Sequence, residues 1–94
     1  LEFPLPEYLE REKLWKLHLP GSIPGAIDID VKALARSYSF TGGQISIVVK
    51  NAATEAAGRK EKLQKLTQAD IIKYSEIEMV SMFDRKKIKM GFYV

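Results

Sequence analysis

Few side chains in this 94-residue chain are equipped for chemistry. His18 is the only histidine, there is no cysteine, and Asp28 and Asp30 stand one residue apart. An imidazole can move a proton or hydrogen-bond a ligand near neutral pH, and paired carboxylates can hold magnesium. None of these residues sits in a pattern that completes a catalytic set. No serine lies in a nucleophile motif, so a Ser/His/Asp triad has no anchor. Lack of cysteine excludes a disulfide framework and cysteine-based zinc sites. Asp30 reads as a helix cap and Asp28 as a loop residue, the commonest roles for aspartate at such places. There is no GxxxxGK[ST] phosphate loop and no apolar strand ending in paired acids, so no magnesium site is evident. Taken alone, His18 is a helix-end residue, where a cation is favoured by the helix dipole. The other notable feature is the turn Thr41-Gly42-Gly43-Gln44, whose small residues allow close approach to the backbone.

These residues depend on helices for their placement. The opening Leu1 to Pro6 reads as extended, because each proline disfavours helix in the residue before it. Pro6 can open a first helix that runs to Leu17 or His18 and stops before Pro20-Gly21. A loop from Pro20 to Asp28 precedes a short helix capped by Asp30. On that helix Val31, Leu34, Ala35 and Tyr38 share one apolar face. The third helix is the best defined. Thr41 and Gln44 form a capping box, and Phe40 and Ile45 form a hydrophobic staple. Ile45, Val48, Val49, Ala52, Ala53, Ala56 and Ala57 then recur at helical spacing, a packing face that ends at Gly58. Arg59 to Lys65 either loops out or extends that helix. Thr67 and Asp70 open a fourth helix, stapled by Leu66 and Ile71. It carries Ile72, Ser75, Met79, Met82 and Phe83 on one side and is expected to fade near Asp84. Trp15 is expected in packing rather than as a binding platform. The expected fold is therefore all-α, a small four-helix bundle with short connections.

Composition agrees with one small domain. Hydrophobic residues make up 46% of the chain, enough for a modest core. The net charge of +3 misleads, since Arg85, Lys86, Lys87 and Lys89 supply four positive charges near the end. The remaining 11 basic and 12 acidic residues leave positions 1–84 near −1. A basic segment of this kind reads as a solvated tail, mobile in isolation. No apolar run reaches the roughly 18 residues of a membrane span, and no signal peptide is visible. The start at Leu1 rather than Met reads as a processed or truncated piece.

Three segments, in order, resemble the C-terminal helical lid of AAA-type ATPases. Phe3-Pro4 leading to Arg11-Glu12-Lys13-Leu14-Trp15-Lys16-Leu17-His18 is similar to that family's F-x-x-P … R-x-x-I-x-x-x-H helix. Ile27 to Ala35 resembles its D-x-D-x-x-x-L-A segment. Phe40-Thr41-Gly42-Gly43-Gln44-Ile45, running to Asn51-Ala52-Ala53, resembles its T/S-G-A-D-I … E/N-A-A helix. Thr67-Gln68-Ala69-Asp70-Ile71 also matches the family's I-T-x-x-D opening. The family's usual alanine and aspartate in the turn are Gly43 and Gln44 here.

The resemblance implies a division of the chain into a linker over residues 1–6, a lid over 7–84 and a basic tail over 85–94. It implies that Leu14, His18, Gly42 and Gly43 form one wall of an adenine pocket. ATP would lie between this lid and the chain's own ATPase core, with magnesium and the phosphates held by that missing core. No arginine stands where some branches read the γ-phosphate, and the role of Arg11 is left open. The fragment alone is expected to hydrolyse nothing, whereas the parent would be an ATPase. Implied partners are the core, neighbouring subunits of a ring, hexameric in the parent, and a client of unknown identity, in a cytoplasmic setting without a membrane. A hinge near Phe3 to Pro6 would couple nucleotide state to subunit motion. The alternative is a small helical nucleic-acid- or protein-binding module using the basic tail.

Overall fold

The computed structural model describes residues 7–89, with side chains to Met82. Four α-helices make up the fold: α1 (Tyr8–His18), α2 (Val31–Ser37), α3 (Gly42–Ala57) and α4 (Gln68–Lys89). Single 3-10 turns at Ala26–Asp28 and Glu61–Leu63 join them, and there is no strand among the described residues. The all-α expectation therefore holds. Pro6 and the hinge segment lie outside the described residues.

The helix starts follow local chemistry. Asp30 Oδ1 accepts the Ala33 amide at 3.1 Å and caps α2. At α3 the Gln44 amide donates to Thr41 Oγ1 at 3.3 Å, and the Thr41 amide donates to Gln44 Oε1 at 2.8 Å, completing the capping box. Thr67 and Asp70 repeat the arrangement at α4, with bonds of 3.0 and 3.2 Å. Each box satisfies amides that the helix itself leaves without partners. The third helix ends at Ala57, with Gly58 in a right-handed rather than left-handed conformation. The charged segment after it loops out.

Packing is centred on α1 and α3. The first helix packs on α2 and α3, and α3 packs on α4. Sequence order alone favours α2 as the neighbour of α3, but α1 is the closer partner. Trp15 and Phe40 are fully buried with ring centroids 6.4 Å apart, and Tyr38 stacks on Phe40 at 5.2 Å. Around them lie Leu34, Ala35, Ile45, Val48, Ala52, Leu66 and Ile71, all buried. Both staple pairs, Phe40 with Ile45 and Leu66 with Ile71, thus enter the core. Burial of this apolar surface is the main favourable contribution to the fold. Arg11 Nε donates to the Ala35 carbonyl at 2.9 Å and ties α1 to the end of α2. That bond supplies a structural role for Arg11.

Three expectations need correction. On α4, as far as Met82, the buried side chains are Asp70, Ile71, Ser75 and Glu78, while Ile72 and Met79 stay 42% and 45% exposed. Apolar residues lie on both sides of this helix, so its periodicity could not decide which side meets α3. On α3, Ala57 is exposed, because the helix is ending there. Finally, α4 does not fade at Asp84 but continues to Lys89. Arg85, Lys86, Lys87 and Lys89 therefore stand on helical backbone rather than in an irregular tail.

One glycine is required by tertiary structure. Gly25 has φ 87°, and a Cβ there would lie 2.2 Å from the Leu66 carbonyl oxygen. The close approach lets the Leu66 amide donate to the Pro24 carbonyl at 2.8 Å. Gln68 completes this junction by accepting the Asp30 amide at 2.7 Å and donating to its carbonyl at 3.3 Å. The loop before α2 is thereby fastened to the start of α4.

Candidate functional site

Leu14 and Gly42 are 28 positions apart in sequence, yet the α1–α3 packing brings them together. A Cβ on Gly42 would lie 3.5 Å from Leu14 Cδ2 and 3.9 Å from Cδ1. With hydrogen in place of a side chain, Gly42 leaves the leucine methyls beside bare helix backbone. Gly43 is more open, since the nearest atom to a Cβ there is Thr41 Oγ1 at 3.9 Å. The amides of Gly42 and Gly43 are in the first turn of α3 and have no acceptor among the described residues. First-turn amides of this kind can donate to a ligand, and the helix dipole favours a partner with negative charge.

His18 stands one turn beyond Leu14, on the same side of α1. It is the last residue of that helix and is half-buried. Its imidazole has no hydrogen-bond partner among the described residues. Leu14 also lines a groove of about 480 Å³ with Glu10, Lys13 and Leu17. Leu17 is 71% exposed and Leu9 66% exposed, interspersed with the charged Glu10, Lys13 and Lys16 on the outer face of α1. Of the four residues proposed from sequence, Leu14 and Gly42 meet directly, Gly43 follows in the same turn, and His18 extends the line along α1.

The groups that meet here are an apolar surface and hydrogen-bonding groups, which can hold a ligand. No group of three or more His, Cys, Asp or Glu side chains that could hold a metal occurs among the described residues. The ledge has an apolar face, two amide donors and one imidazole. Those groups suit a flat, nitrogen-rich ring with hydrogen-bonding edges.

A denser polar cluster lies at the other end of α3, and sequence reasoning did not find it. Arg59 forks onto both carboxylate oxygens of Asp70 and also binds Glu55 at 3.1 Å. Glu55 Oε1 accepts from Lys73 Nζ at 2.6 Å and from the Tyr74 hydroxyl at 2.7 Å. Hydrogen bonds from Lys73, Tyr74 and Arg59 hold the Glu55 carboxyl down to about 2. Burial pushes the Asp70 carboxyl up, but hydrogen bonds from Arg59 and from Thr67 outweigh it and leave it below its ordinary value. The tyrosine and lysine shift upward for the matching reason, their bonds to Glu55. Every member faces another member, so the cluster is a clasp between α3 and α4 rather than a reactive site. The i,i+4 spacing of Glu55 and Arg59 was the only local signal of it.

Elsewhere, Tyr38 donates to Glu76 Oε2 at 2.6 Å, and burial together with that carboxylate pushes the phenol up to about 12. The Trp15 indole N–H and the Ser75 hydroxyl are buried with no partner among the described residues. No protein-family model, curated protein or solved structure matches the chain.

Proposed function

We propose that this chain is the C-terminal helical lid of an AAA-type ATPase and supplies one wall of an adenine site. The observation that carries the reading is the meeting of Leu14 with Gly42, residues that the lid resemblance assigns to one pocket and that come from different helices. Leu14 covers one face of the ring. The amides of Gly42 and Gly43 and the imidazole of His18 serve its edge or the ribose. Phosphates and magnesium belong to the core subdomain, which also contributes the opposite wall and the groups that hydrolyse ATP. Nucleotide held between the two halves would couple their relative orientation to the bound state. The clasp and the Gly25–Leu66 junction support this role, because a lid that transmits motion must move as one body. In a ring, neighbouring subunits would feel that motion through the lid surface.

The test is a titration of the 94-residue chain with adenosine and, separately, with magnesium ATP, followed by amide and side-chain NMR shifts. Weak, saturable shifts at Leu14, His18, Gly42 and Gly43 are expected with both ligands. Adenosine should act much like ATP, since nothing on this wall is assigned to the phosphates. Shifts that appear only with ATP and only at residues 85–89 would favour the alternative, a basic module that binds polyanions. Robust ATP hydrolysis by the chain would overturn the lid reading.

A further inference from the structure

The loop that joins α3 to α4 borders a crevice that the adenine wall does not use. Ile23, Ala53, Ala56, Ala57, Leu66 and Gln64 line it, and it encloses about 130 Å³. Pockets for free small molecules begin at roughly 300 Å³, so this one is sized for a single aliphatic side chain that is part of something larger. Its polar edge is Gln64. Gln64 Nε2 donates to the Ala57 carbonyl at 3.1 Å and to the Arg59 carbonyl at 2.9 Å. Both amide hydrogens are thus engaged, while Oε1 has no donor among the described residues. That oxygen can accept from a backbone amide brought alongside.

The same loop carries Lys60, Lys62 and Lys65, all exposed and none in an ion pair among the described residues. Glu61 is the one acid between them, so three lysines against one glutamate leave residues 60–65 at +2. The loop is held in shape before any partner arrives. The Leu63 amide donates to the Lys60 carbonyl at 2.7 Å, Arg59 Nη1 to the Lys65 carbonyl at 3.4 Å, and the Leu66 amide to the Pro24 carbonyl at 2.8 Å. A loop already fixed loses little entropy on binding. Charge complementarity selects an acidic partner, and the crevice selects its class. A nucleic-acid backbone has no aliphatic side chain to fill it, and a flat membrane surface meets only its rim. We propose that this corner binds an acidic segment of another protein, with one isoleucine or leucine seated in the crevice. A backbone amide of the segment donates to Gln64 Oε1, and its flanking carboxylates meet Lys60, Lys62 and Lys65. The proposal uses none of Leu14, His18, Gly42 and Gly43, so it stands or falls apart from the adenine reading.

The probe is a fluorescein-labelled peptide in which one isoleucine stands between acidic pairs, Glu-Asp-Ile-Asp-Glu. Fluorescence anisotropy with the 94-residue chain should show saturable binding that weakens as salt is raised. Replacing the isoleucine of the peptide by serine should weaken binding by about tenfold or more, because the buried aliphatic contact is lost. Lys62→Glu should weaken it by about tenfold through reversal of a facing charge. That variant should keep the parent circular dichroism, since Lys62 is exposed. Amide NMR shifts should fall on Ile23, Ala53, Ala57 and Gln64. Equal affinity for the serine peptide, indifference to Lys62→Glu, or shifts confined to residues 85–89 would overturn the proposal. Tighter binding of a single-stranded oligonucleotide or of phosphatidylserine vesicles than of the peptide would overturn it as well.

Discussion

Gly42→Ala and Gly42→Val separate the fold from the ledge it carries. Gly42 is the first residue of α3 and has a negative φ, so either side chain fits the backbone. The new Cβ would lie 3.5 Å from Leu14 Cδ2, an ordinary van der Waals contact rather than a clash. Removing glycine at a compatible site stabilises by about 0.4–1 kcal/mol, chiefly by restricting the unfolded chain. For a domain of this size that corresponds to a rise in Tm of roughly 2–8 °C. Binding should move the other way. A methyl projecting about 1.5 Å into the ledge lifts a flat ring off the backbone and forfeits much of its dispersion contact there. Adenosine affinity should fall by about tenfold in Gly42→Val, equivalent to about 1.4 kcal/mol. Thermal melts by circular dichroism and the NMR titration measure the two effects on the same samples. Unchanged adenosine shifts in Gly42→Val would refute the ledge, and a lower Tm in Gly42→Ala would refute the packing argument.

Gly25→Ala should be severely destabilising, by about 2–4 kcal/mol. That sum combines strain at positive φ with loss of the Leu66–Pro24 hydrogen bond when the loop shifts. Gly21→Ala, with nothing within 4 Å of the added Cβ and no positive φ, should melt slightly above the parent chain for the same reason as Gly42→Ala. The clasp predicts a pH response with a definite sign. The Glu55 carboxyl sits at about 2 in the folded chain against an ordinary 4.5, so its stabilisation is present above pH 4.5 and is lost as pH falls toward 2. Urea midpoints measured from pH 6 to pH 2 should therefore fall more steeply in the parent chain than in Glu55→Gln. Asp30→Ala should cost about 1 kcal/mol as a lost helix cap. Magnesium or a chelator should shift the Tm of neither protein, and a magnesium-dependent Tm would contradict the capping role.

What the sequence by itself determined is local. The capping boxes at Thr41 and Thr67 and the cap at Asp30 each close within three residues, so residue type and spacing suffice to place them. The apolar faces of α2 and most of α3 were legible because one side of each helix is clearly more apolar than the other. The same reasoning failed on α4, where apolar residues line both sides and only contact with α3 determines which side is buried. Glu55, Arg59, Asp70, Lys73 and Tyr74 become one clasp only when two helices cross. Gly25 is indispensable only because the Leu66 backbone passes against it. Leu14 was legible as a candidate through resemblance, but its approach to Gly42 depends on α3 packing on α1 rather than on its chain neighbour α2. That choice of partner buries Trp15 and Phe40 together, and it is a property of the packed core, which no segment of the chain contains alone.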